Sequence, residues 1–163
     1  MDNDPALKLD NQLCFAVYAC AREITKLYHP LLKRLGLTYT QYITLLALWE
    51  ERRATVKRLG QRLYLDSGTL TPLLKKLELM GWITRVRDPQ DERSVIVELT
   101  EKGDRLKEKA RAIPEQLFCQ AGIAPEEADR LRVQISDMLR KVQGTSSSPT
   151  ATNVNHEEGG NEE

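Results

Sequence analysis

TVKRLGQRLYLDSGTLTPLLKKLELMGWITRVRDPQDERSVIVEL, residues 55–99, decides the fold. Thr55 is placed to cap a short helix ending near Leu63. Asp66 or Ser67 caps the next helix, which runs to Met80 and stops at Gly81. Leu70, Leu73, Leu74 and Leu77 form its buried stripe. Pro72 lies beyond the first turn position where proline is harmless, which predicts a bend or a weak ladder near the start. The period then changes from helix to strand. Trp82, Thr84 and Val86 alternate with Ile83, Arg85 and Arg87, and Val95, Val97 and Leu99 alternate with Ser94, Ile96 and Glu98. Asp88-Pro89-Gln90-Asp91-Glu92 is the turn between these strands.

A short helix, a tight turn, a second helix and a hairpin, in that order, make a winged helix-turn-helix. Working outward, residues 9–34 read as a long helix with Leu13, Val17, Ile24, Leu27 and Leu31 at helical spacing. Pro30 should kink it or end it early, and Gly36 is its stop signal. Thr38-Tyr39-Thr40-Gln41 fits a capping box opening a helix to about Glu51, with Tyr42, Leu45, Leu46 and Trp49 on its apolar side. Thr100 to about Gln120 reads as one helix, and Pro125 starts a last one carrying Leu131, Ile135, Met138 and Leu139. The expected chain is mainly α with a small β-hairpin: an arm over 1–8, helices over 9–36 and 100–143, a winged unit over 37–99, and a disordered acidic tail over 144–163.

The 163 residues hold 24 Lys+Arg and 24 Asp+Glu, a formal net charge of zero. The charges are unevenly placed. Residues 144–163 contain Glu157, Glu158, Glu162 and Glu163 and no Lys or Arg, so residues 1–143 carry +4. Arg52–Glu78 alone has seven basic and two acidic residues, a local +5. A polyanion responds to local charge, because screening cuts off distant charge beyond about 8 Å at physiological salt. No apolar run approaches the ~18 residues of a membrane helix. The acidic start, Met1 to Pro5, has no apolar core for a leader. Three cysteines are too few for a disulfide scaffold and point to a reducing compartment such as the cytoplasm. His29, His156 and scattered cysteines make no zinc site, and no metal or cofactor is expected.

The chemistry of the winged unit suits double-stranded DNA. Ser67, Thr69 and Thr71 stand at a helix N-terminus, where small hydroxyl residues can reach base edges in the major groove. Lys75 and Lys76 can reach the flanking phosphates. Arg85, Arg87 and Arg93 sit on the hairpin, where an arginine can enter a narrow minor groove, and Asp91 could hold Arg93 in place. Taken singly, Ser, Thr and Asp at a helix start are most often caps, and a charge run is most often a solvated face. The combination of element order, local charge and basic hairpin favours DNA.

Asp88-Pro89-Gln90-Asp91-Glu92-Arg93-Ser94-Val95 through Leu99-Thr100-Glu101-Lys102-Gly103 resembles the wing signature of MarR-type repressors. Leu9-Asp10-Asn11-Gln12-Leu13-Cys14-Phe15 and Tyr64-Leu65-Asp66-Ser67-Gly68-Thr69-Leu70-Thr71-Pro72 resemble the branch that senses organic hydroperoxides. The resemblance covers about residues 8–142. It implies a bacterial homodimer, paired through the N- and C-terminal helices, with one recognition helix per subunit on half of a palindromic operator.

Cys14 and Cys20 are six residues apart on one helix, about 9 Å of rise and about 120° of rotation, too far for a disulfide. Cys119 lies near the end of the fifth expected helix. Tyr18 is one turn from Cys14, and Tyr28 lies about 21 Å further along the axis, within reach of Cys14 only from an antiparallel partner. Hydroxyl donors stabilise a thiolate, although interface packing also accounts for tyrosines here. The resemblance implies more. It makes Cys14 the reactive thiol, Tyr28 and Tyr39 its hydrogen-bonding tyrosines, Tyr18 a third pocket tyrosine and Cys119 the resolving cysteine of a two-cysteine subgroup. Oxidation of Cys14, capture by Cys119 of the partner subunit and release of the operator would follow. The alternatives are a repressor of the same fold released by a small aromatic ligand, and a thiol peroxidase built on Cys14.

Overall fold

The computed structural model describes residues 4–146. The chain divides after Ala121 into two compact units. The first holds α1 (Leu13–Lys33), α2 (Tyr39–Glu51), β1 (Arg53–Thr55), α3 (Val56–Leu63), α4 (Ser67–Leu79), β2 (Ile83–Arg87), β3 (Val95–Leu99), α5 (Glu101–Ala110) and α6 (Ile113–Ala121). The second holds α7 (Pro125–Ser146). Beyond Ser146 the expected acidic tail lies outside the described residues, and its first three positions, 144–146, belong to α7 instead.

The local signals act as their chemistry requires. Thr38 Oγ1 accepts from the Gln41 N–H while the Gln41 side chain accepts from the Thr38 N–H, so the capping box forms. Thr55 caps α3 and Asp66 caps α4 through the N–H of Arg58 and Thr69. The turn between α3 and α4 is closed by Tyr64, left-handed at φ 55°, and by the Leu65 N–H bonding to Gly60 O at 3.0 Å. A Cβ on Gly60 would meet Leu65 O at 2.9 Å, so glycine suits the tightness of that turn.

Several expectations are corrected. Helix α1 starts at Leu13, not at residue 9, because Pro5–Leu7 and Leu9–Asn11 form separate 3-10 turns. The Asn11 and Gln12 side chains pin these turns by donating to Pro5 O and Ala6 O, both at 2.7 Å. Of the two outcomes expected at Pro30, a kink or an early end, the early end does not occur. The helix continues to Lys33, and Leu31 and Leu32 beyond the proline are buried, which offsets the lost backbone bond. The expected helix over 100–120 is two, α5 and α6, with Pro114 in the first turn of the second.

The hairpin is also part of a larger sheet. β1 adds to it, giving the order β1-β3-β2, all antiparallel. Arg53 faces Glu98, Ala54 faces Val97 and Thr55 faces Ile96. Arg52 turns α2 into this strand with φ 64°, a conformation costly for a residue with a Cβ. It is held there by the bond from its N–H to Leu48 O, by its own carbonyl accepting from the Leu99 N–H, and by the guanidinium pairing with Asp104.

The core is built on α2, whose Tyr42, Leu45 and Leu48 are almost fully enclosed with Leu59, Leu70, Leu74, Leu77, Ile83 and Val97. Trp49 donates from Nε1 to Gly103 O at 2.9 Å in this core, tying α2 to α5. Gly103 is also pressed against Trp82, where a Cβ would lie 2.0 Å from the backbone oxygen. Gly103→Ala should therefore cost about 3 kcal/mol in urea unfolding, the upper end of overpacking. An unchanged midpoint would show that α5 and Trp82 do not stay this close in solution.

Candidate DNA interface and thiol site

A cleft opens between α3, α4 and the hairpin wing. Ser67 and Thr71 line it from the first turns of α4, and Arg85, Asp91 and Arg93 line it from the wing. Lys57 and Gln61 of α3 line it as well, and sequence reasoning did not single them out. Lys57 belongs to the basic segment 52–78. The wing turn is well bonded: Asp88 N–H to Ser94 O at 2.9 Å, Ser94 N–H to Asp91 O at 2.8 Å, and Gln90 N–H to the Asp88 carboxylate at 2.9 Å. Arg93 projects from this hydrogen-bonded turn with its side chain 97% exposed. The Asp91 carboxylate lies 3.7 Å from Arg93 Nε and accepts the Arg93 backbone N–H at 3.1 Å. Asp91 is thus placed beside the arginine it was expected to hold.

The other expected DNA residues divide by what already occupies them. Lys75 and Lys76 are exposed on α4. The Thr69 hydroxyl donates to Asp66 at 2.9 Å, so it is spent on the helix cap. The two hydrogen bonds from Thr69, its backbone N–H and its hydroxyl, hold the Asp66 carboxyl below the usual carboxylate range. Arg87 is exposed and donates from Nη1 to Glu92 O at 2.9 Å across the wing turn. Arg85 is turned inward onto Glu78 of α4, its side chain only 24% exposed.

The three cysteines are free and exposed. Cys14 stands in the first turn of α1, where backbone N–H groups lack intrahelical acceptors and favour negative charge nearby. Cys20 follows on the same helix, and Cys119 is on α6. The expected tyrosines separate. Tyr28 and Tyr39 meet with ring centroids 4.9 Å apart, and Tyr42 joins them at 5.8 Å from Tyr28. Burial, with Tyr39 and Tyr42 alongside, pushes the Tyr28 phenol up to about 12. Burial raises Tyr39 and Tyr42 in the same direction. All three therefore remain protonated donors at neutral pH. Tyr18 is not in the cluster: it accepts from Arg22 Nη1 at 2.8 Å, and the guanidinium lies over its ring. Among the described residues no group of three or more His, Cys, Asp or Glu could hold a metal, and no helix is long and apolar enough to cross a membrane.

The family model described as transcriptional regulator SarA/Rot matches residues 26–110, from the end of α1 through the wing to α5. The chain is also 51% identical over 133 residues to the organic hydroperoxide resistance transcriptional regulator of Bacillus subtilis, covering 82% of this chain and 90% of that protein. The chain belongs to the SarA/Rot family of transcriptional regulators.

Solved structures match most of the regulator's chain. Reduced AbfR bound to DNA superposes with a TM-score of 0.73 at 33% identity, covering 86% of this chain and 96% of that one. AbfR is a Staphylococcus epidermidis protein. Its disulfide-formed structure matches with a TM-score of 0.55 at 37% identity, over 80% of the regulator and 92% of that chain. Tyr42 is the residue of the regulator's tyrosine cluster that sequence reasoning assigned only to the core. Its spacing of three from Tyr39 on one helix face was the available signal.

Proposed function

We propose that the regulator is a homodimeric repressor that holds a pseudo-palindromic operator and releases it when an organic hydroperoxide oxidises Cys14. One observation carries this: an exposed thiol in the first turn of α1, in a chain 51% identical to an organic hydroperoxide resistance regulator. Ser67, Thr71, Lys75, Lys76 and the wing arginine Arg93 are the residues proposed to contact the duplex, with Asp91 steadying Arg93. Residues 9–36 and 100–143 are proposed to pair the subunits, with the half-exposed Leu131, Ile135 and Leu139 of α7 in the interface.

The Cys14 thiolate attacks the O–O bond of the peroxide. An S–O bond forms, the O–O bond breaks, the alcohol leaves, and Cys14 becomes a sulfenic acid. Cys119 of the partner subunit attacks that sulfur, an S–S bond forms and water leaves. Tyr28 and Tyr39, kept protonated, donate to the Cys14 sulfur across the dimer, and Tyr18 borders the same pocket. The disulfide-formed AbfR structure supports such a step in a relative. The regulator acts in the bacterial cytoplasm, where resting thiols stay reduced.

Mobility shifts of the regulator on its operator, with and without cumene hydroperoxide, test this. Wild type should release the duplex and run as a covalent dimer on non-reducing gels. Cys119→Ser should lose the covalent dimer. A dimer band that persists in Cys119→Ser would transfer the resolving role to another thiol.

A further inference from the structure

We propose that Glu78 is a positioning residue for operator binding, a strut that sets the spacing of recognition helix and wing through Arg85. The proposal rests on the DNA-binding reading above and goes beyond it. Helix α4 and the wing must enter adjacent grooves of one duplex, so their separation has to match the groove spacing. The sheet ladder fixes β2 to β3 but does not by itself fix the sheet to α4. The Glu78–Arg85 pair is a polar link across that joint. Glu78 is on the last turn of α4, and Arg85 is in the middle of β2, opposite Val97 on β3.

Both carboxylate oxygens are engaged. The Arg85 backbone N–H donates to Glu78 Oε1 at 3.0 Å, and Nε and Nη2 donate to Oε2 at 3.0 and 2.7 Å. A backbone donor and a guanidinium edge on one carboxylate fix the direction as well as the distance of the contact. Arg85 keeps the Glu78 carboxyl ionised below the usual range. The contrast with Arg93 separates two jobs for wing arginines. Arg93 extends into solvent with its side chain 97% exposed, whereas the 24% exposed side chain of Arg85 is folded back onto the helix. Arg85 still lines the cleft that Ser67 and Thr71 share with Arg93, so a shift at this joint alters that cleft.

A strut and a DNA-contacting cation predict opposite results. As a probe, wild-type protein selects a duplex from a random-sequence pool. Affinity is then measured across a salt series for Glu78→Ala, Arg85→Ala and the double exchange Glu78→Arg with Arg85→Glu. Circular dichroism verifies that each variant is folded. Each single variant should bind about tenfold more weakly, with the salt slope of wild type, and the exchange should regain the part of the loss due to the side-chain pair, since a guanidinium at position 78 cannot accept the residue 85 backbone N–H. Hydroxyl-radical footprints should lose the protection given by the wing before that given by α4. Should Glu78→Ala fail to fold, Glu78→Gln carries the same test, since its amide oxygen keeps one acceptor. Unchanged or tighter binding by the Glu78 variant overturns the strut. So does a slope flattened in Arg85→Ala by about one phosphate per chain, which marks a direct contact. A wild-type protein that selects no duplex sinks the DNA reading itself. Wild-type selection with indifferent variants sinks only the strut.

Discussion

Cys14→Ser should bind the operator as wild type does and should no longer release it under organic hydroperoxide. The substitution is close to isosteric. Cys14 is exposed in the described chain, so no core contact is lost. A serine hydroxyl at this place has no accessible oxidation ladder, since the sulfenic and disulfide states need sulfur. The expected change is from full release to none, read as operator shift against peroxide concentration. Cys20→Ser is the control and should respond normally. Cys20 cannot form a disulfide with Cys14 of its own helix α1, and it stands outside the helix's first turn. If Cys14→Ser releases DNA at the wild-type peroxide concentration, the sensor is a different thiol and the first-turn argument fails.

Arg93→Ala should weaken operator binding by about 100-fold in a dimer, from two contacts each worth about 1–3 kcal/mol. The loss should come with an intact fold, because the side chain is 97% exposed and its neighbour Asp91 remains solvated. The salt slope should flatten by about two phosphates for the dimer. Operator affinity within twofold of wild type would remove the wing from the DNA interface. Asp91→Asn should give a smaller loss of the same kind, since it frees the arginine without removing it.

Where the sequence was informative, the information was local. The caps of α2, α3 and α4 are side chains bonding within three residues, and the change of period at Trp82 marks the start of the wing. The resemblance supplied the family, which the SarA/Rot match and the Bacillus subtilis relative show. What was missed depends on partners distant in the chain. β1 has three residues, too few to display alternation, and it is a strand only because Ala54 meets Val97. Arg85 looks like any wing cation until Glu78 comes across the turn to meet it. The break between α5 and α6 falls in a run of good helix formers, and Pro114 was the one local sign of it. The resemblance grouped Tyr18, Tyr28 and Tyr39; within one chain the fold brings Tyr28 to Tyr39 and Tyr42 and sets Tyr18 against Arg22.

The placement of β1 has a consequence for how the chain is made. β2 and β3 are joined by a short turn and can zip on a microsecond scale once Leu99 is available. β1 is synthesised long before its mate and stays an unpaired edge until β3 arrives. Arg52 can settle into its costly left-handed turn only then, because Leu99 and Asp104 are among the groups that hold it. The end of α2, the start of α3 and the root of the wing thus lock together in one late event. A nascent chain that has not yet emerged past Asp104 carries its recognition helix without a fixed frame.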